Sequence, residues 1–194
     1  MEYTFHPHNS LAPLGMAQIL RRNLQGRIPV IACVGSDLSI GDSLGPLVGS
    51  MIKQQCAALF VYGTLANPVT AKEVVYLREF IAETHPHSPV VAVDAAVGAK
   101  DEVGLIRIGE QGILPGSGAQ KKLGRIGDVG ILGIAAERSP MQAALLHLTR
   151  LGGIYRMAQL IAAGICAYVQ GCAHFSAIGE APTKRAFRTA SGLL

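Results

Sequence analysis

The sequence predicts an α/β protein of three layers, a mostly parallel sheet with helices on both faces. Two observations carry this. The runs Val30-Ile-Ala-Cys-Val34 and Pro89-Val-Val-Ala-Val93 are short, apolar and rich in β-branched residues, as strands buried on both faces are. Segments with helical apolar spacing lie between such runs, and that alternation builds a parallel sheet covered on both sides. Composition agrees with a packed globular chain. Of 194 residues, 49% are hydrophobic and only 15% charged, with 23 glycines available for loops.

The elements follow in order. Residues 1–12 read as an unstructured lead-in. Pro13 to Leu24 carries Leu14, Ile19, Leu20 and Leu24 at helical spacings, which predicts an amphipathic helix. Val30 to Val34 is the first strand. A loop with Gly41, Asp42 and Gly45 follows, then a helix over about Ser43 to Ala57 with Pro46 in its first turn. Leu59 to Tyr62 is a short strand ended by Gly63. Asn67-Pro68 predicts a helix start, with Asn67 as cap, running to about Thr84. Val90 to Val93, Gly104 to Ile108 and Asp128 to Ile134 are the remaining strands. Ser139 to Leu151 and Ile154 to Gln170 are two closing helices parted by Gly152-Gly153. Residues 1–173 form one domain in this reading, and 174–194 a flexible basic tail.

Several function classes fall away. The net charge of +4 is modest and scattered, with no aromatic stacking platform beside it, so nucleic acid is not the expected partner. The apolar stretch Met157 to Val169 is shorter than the ~20 residues of a membrane span, and no basic-then-apolar leader opens the chain. Cys33, Cys56, Cys166 and Cys172 form no CxxC pair, which makes reduced thiols and a cytoplasmic setting the default. Six histidines make no HExxH pattern, and no GxGxxG occurs.

What remains is a pair of acids. Asp42 follows the first strand and Asp94 closes the strand Val90 to Val93. In open α/β sheets the carboxyl ends of strands border the ligand crevice. Either acid alone also suits a plain structural role, Asp42 as a helix cap and Asp94 as a loop anchor. Together they suit general acid and base chemistry on one substrate, or oxygen ligation of a divalent metal. The loop Leu114-Pro-Gly-Ser-Gly-Ala-Gln-Lys-Lys122 offers successive backbone N–H groups with lysines behind, although such a sequence also makes an ordinary surface turn.

The motifs Gly41-Asp-Ser-Leu-Gly-Pro46, Ala92-Val-Asp-Ala95 and Pro115-Gly-Ser-Gly118 with Lys121-Lys122 resemble the YyaC-like sporulation proteins of spore-forming bacteria. Tyr62-Gly-Thr-Leu65 followed by Pro68-Val69 fits the same pattern, and the likeness spans about Val30 to Leu160. More distantly the motifs are similar to the spore germination protease and the hydrogenase maturation endopeptidases. The resemblance implies a phosphorylase/hydrolase-like α/β/α fold and a peptidase lineage. It also implies a catalytic pair at Asp42 and Asp94, or the same two acids as metal ligands. His147 and Glu137 are the residues considered for a third ligand, and neither matches a motif. The chain is much shorter than the germination protease.

The resulting expectation is a sporulation or germination endopeptidase acting on a protein or peptide, inside a spore or forespore. Asp42 and Asp94 are the catalytic residues. Gly41, Ser43, Gly116, Ser117, Gly118 and Lys121 bind substrate, with backbone amides of the 116–118 loop polarising the carbonyl. No cofactor is required, with a divalent metal on the two acids as the variant. The rival is a non-catalytic spore protein whose acidic crevice binds a peptide or a metal-bearing partner.

Overall fold

The computed structural model describes residues 1–115, 124–139, 146 and 148–179, with side chains as far as Cys172. Among these, six strands form one sheet: β1 (Glu2–Phe5), β2 (Val30–Cys33), β3 (Val61–Tyr62), β4 (Val90–Gly98), β5 (Ile106–Gly109) and β6 (Val129–Glu137). Four α-helices pack on it: α1 (Ala12–Leu24), α2 (Leu44–Gln55), α3 (Val74–Thr84) and α4 (Leu151–Gly179). The strand order is β1-β5-β6-β4-β2-β3. β6, β4, β2 and β3 run parallel, while β5 and β1 add an antiparallel margin. The fold is thus α/β with a mostly parallel sheet.

The two faces are covered unequally. α1, α2 and α4 share one face, where Met16, Leu20, Val48, Ile52, Met157 and Ile161 meet Ile31, Cys33, Val91 and Val93. On the other face Val74, Leu77 and Ile81 of α3 meet Val30, Ala32 and Ala92, with Ile113 and Ile126 beside them. The alternation within β2 and β4 follows from the two-residue period of a strand. α4 is long because its buried positions Ile154, Met157, Ala158, Ile161, Ile165 and Tyr168 recur every three or four residues. Tyr168 is fully buried, and its hydroxyl donates to the Arg27 carbonyl at 2.8 Å.

Several expectations need correction. The N-terminal residues are no lead-in, because Glu2–Phe5 pairs with β5 as an edge strand. α3 begins at Val74 and not at Asn67. The Asn67 N–H bonds the Thr64 hydroxyl, and Val69 bridges Val34 in parallel, so this stretch prolongs the sheet. β4 and β6 each run several residues beyond their expected ends because they pair with each other past the last residue of β2. Gly152-Gly153 does not separate two helices but lies in the first turn of α4, which then continues through Gly179. The proposed start of a tail at 174 is therefore helical backbone. Residues 140–145 and 147, seven of the thirteen in the expected helix at 139–151, fall outside the described residues, as do 180–194.

Candidate functional site

The chain leaves β2 for β3 on one side through α2, then returns across α3 to place β4 on the other side of β2. The direction of winding reverses between β2 and β4, and the two crossing helices lie on opposite faces. Such a switch point opens a crevice at the carboxyl ends of its two strands. Asp42 lies on the loop that leaves β2. Asp94 is the first residue of β4 past the last β2 pairing, Cys33 with Val93.

The loop is shaped by tight backbone contacts. The Ser36 N–H donates to the Asp42 carbonyl at 3.0 Å, and the Asp42 N–H donates to the Ser39 carbonyl at 3.0 Å. Residues Ile40–Asp42 make one turn of 3-10 helix, which hands over to α2. Gly35 has φ 144°, and a Cβ there would collide with the Asp42 carbonyl oxygen. At Gly45 a Cβ would collide with the Val34 carbonyl, so α2 seats directly on the end of β2. Asp42 is not the cap of α2, since Ser43 occupies that position and no side-chain cap bond is made. The plain capping role for Asp42 is thereby removed.

Asp94 is 7% exposed, and its Oδ1 accepts from the Ala95 N–H at 2.8 Å. Burial raises its carboxyl well above the ordinary carboxylate range, the charge of Asp42 raises it further, and the Ala95 N–H pulls back. Asp42 is half-buried. Burial raises its carboxyl too, against the opposing pull of the Ser36 N–H. The charge of Asp42 therefore reaches Asp94 at the strand ends, and such a pair resists double ionisation. The more deeply buried Asp94 keeps its proton longer.

The other expected site residues are distributed differently. Gly41 is buried beneath the segment at Leu146, where a Cβ would lie 2.9 Å from the Leu146 Cα. Ser43 is 6% exposed, and its hydroxyl donates inward to the Ile40 carbonyl at 2.7 Å. Both are placed to shape the loop. Gly116, Ser117, Gly118 and Lys121, and also His147, lie outside the described residues. Glu137 pairs in register with Gly98, four steps along β4 from Asp94, or about 13 Å at strand spacing. It lines a separate cavity of about 480 Å³ with Lys100, Arg150 and Met157. Among the described residues no third His, Cys, Asp or Glu joins the two acids in a group able to hold a metal. Cys56 packs against the core cluster that includes Cys166 of α4, a neighbourhood that their sequence positions do not signal.

A doubly wound sheet with two electrostatically coupled carboxyl groups at its switch point defines an α/β protein with an aspartate pair at the strand ends. The chain belongs to the family described as "Protein of unknown function (DUF1256)", whose model matches residues 5–164. It is similar to "Uncharacterized protein YyaC" of Bacillus subtilis (strain 168), with 41% identity over 145 residues, 74% of this chain and 71% of that one. Among solved structures it is similar to a NiFe hydrogenase maturation protease, HycI, from Thermococcus kodakarensis KOD1. That match has 23% identity, covers 76% of this chain and 98% of the other, and has a TM-score of 0.41. Among the described residues no helix is long and apolar enough to cross a membrane.

Proposed function

We propose that the crevice between β2 and β4 is the active site of an endopeptidase that hydrolyses peptide bonds with Asp42 and Asp94. The observation that supports this most is the electrostatic contact of the two acids, one buried and one half-buried, at the switch point. Unequal environments push the two groups apart in proton affinity, and that assigns their roles. Asp42, ionised first, is the general base. It takes a proton from a water whose oxygen bonds to the peptide carbonyl carbon. Asp94 is the general acid and gives its proton to the departing nitrogen as the C–N bond breaks. The new carboxyl passes its proton to the amine, leaving a carboxylate and an ammonium group, and the proton held by Asp42 returns to Asp94 before the next turnover.

The setting in sporulation or germination, inside the cell, is part of the same proposal and rests on the motif resemblance. The test incubates wild type, Asp42→Asn and Asp94→Asn with a spore-former proteome, with and without chelator, and reads new peptide termini by mass spectrometry. Termini that appear with wild type alone, with both variants folded by circular dichroism, are the expected result. Their absence with wild type, or their persistence in either variant, overturns the peptidase. Loss on chelation would reassign the two acids to holding a metal.

A further inference from the structure

We propose that the cavity at the carboxyl end of β6 binds an aliphatic monocarboxylic acid, independently of the peptidase reading. The cavity measures about 480 Å³ and lies between β6, the turn at Lys100–Glu102 and the first turns of α4. Its floor is hydrocarbon. Ile134, Ala136, Ile154 and Met157 line it, each at most 5% exposed. The Thr149 hydroxyl has its donor engaged, giving it to the Ala135 carbonyl at 3.2 Å. Val103 and Leu148 form an apolar lip open to solvent. Charge enters at the mouth, from the exposed residues Lys100, Glu137 and Arg150. The site is closed toward α2. The sulfur of Met157 and the side chain of Leu44 both reach the point above Gly133 where a Cβ would stand.

Size selects the body of the ligand. A liquid gives about 30 Å³ to each water-sized group, so the cavity has room for roughly sixteen such groups. One leucine or phenylalanine side chain would leave most of it empty. A decanoate ion, with about twelve non-hydrogen atoms, would fill about three-quarters. The volume also falls inside the range of small-molecule pockets, which are apolar with a few polar groups that fix orientation. Charge selects the head. Lys100 and Arg150 outnumber Glu137 at the mouth, and among the described residues neither cation is held in an ion pair. Nearby Glu102 adds no free negative charge, because it pairs with Arg107. The excess of one positive charge suits a monoanion, and two cations can each donate to one carboxylate. The carboxylate therefore sits at the mouth and the chain runs inward over Ile134 and Met157.

The test adds hexanoate, octanoate or decanoate to the purified full chain, isotopically labelled in its methionine methyl groups, and follows Met157 by NMR. Met157→Leu assigns the signal. The expected result is a saturable shift of Met157 at one acid per chain, while Met16, which does not line the cavity, stays in place. Affinity should rise about tenfold for each two methylenes added. The double variant Lys100→Gln, Arg150→Gln should bind decanoate roughly fivefold more weakly and bind decanol, its uncharged analogue, as wild type does. The proposal fails if Met157 does not respond to acid in the millimolar range, or if chain length leaves affinity unchanged. It also fails if the double variant holds decanoate as tightly as wild type, or loses decanol and decanoate alike. A chain that sediments as a dimer, with Met157 indifferent to every acid, would give the cavity to a second copy instead.

Discussion

Burial and a neighbouring negative charge act on Asp94 in the same direction, and the consequence can be read in stability as well as in catalysis. A carboxyl whose proton affinity is raised by folding binds more protons in the native state than in the unfolded chain. Its contribution is therefore most favourable below the ordinary value of 3.8 and is lost as pH rises above it. Each pH unit in that window costs up to about 1.4 kcal/mol for one proton. Asp94→Asn should accordingly raise the melting temperature at neutral pH while abolishing cleavage. Its stability advantage should vanish near pH 3, where the wild-type carboxyl is protonated in both states. For hydrolysis itself the proposed roles require Asp42 ionised and Asp94 protonated. The rate should follow a bell, with both limbs above the ordinary carboxylate range, the acidic limb set by first ionisation of the pair and the alkaline limb by the second.

At the scale of elements, the register between α2 and the end of β2 places Asp42. Gly45→Ala puts a methyl group against the Val34 carbonyl, and helix and strand must part to accept it. A loss of about 1–3 kcal/mol in urea unfolding is expected, with weakened coupling between the two acids. The β2–loop–α2 unit was legible because buried strand, glycine loop and helix follow one another without interruption. α3 was not, because Asn67-Pro68 is a strong local start signal that tertiary pairing overrides. Val69 bonds beside Val34 before the helix can begin. The turn before α3 is held by Thr70 and by Glu73, the N-cap residue, whose side chain makes no cap bond to the helix. The Glu73 carboxylate accepts the Thr70 N–H at 2.9 Å and its hydroxyl as well. Glu73→Ala should cost this turn about 1 kcal/mol, measurable as a lower unfolding midpoint.

Over the whole molecule, the sheet has a parallel centre that carries the acids and an antiparallel margin that protects one edge. β1 was illegible because its alternation, Tyr3 and Phe5 inward against Glu2 and Thr4, lasts only four residues, and its partner β5 lies about a hundred positions away. Pairing with β5 alone makes them a strand. Removal of residues 1–5 should bare the β5 edge, with buried Ile106 and Ile108 behind it, and yield soluble aggregates by light scattering. The position of the acid pair was legible for a different reason. Each acid follows a buried strand in the sequence, and the carboxyl ends of such parallel strands border a common ligand region. Which acid holds the proton was not legible, because it depends on depth of burial, and depth is set by the chain as a whole.

The most direct test of the electrostatically coupled pair is the titration of the Asp94 carboxyl carbon by NMR in wild type and Asp42→Asn. In wild type it should titrate well above 3.8, and in the variant it should move down as the repelling charge is lost. An Asp94 that titrates at the ordinary value, or that does not respond to the loss of Asp42, would contradict the account.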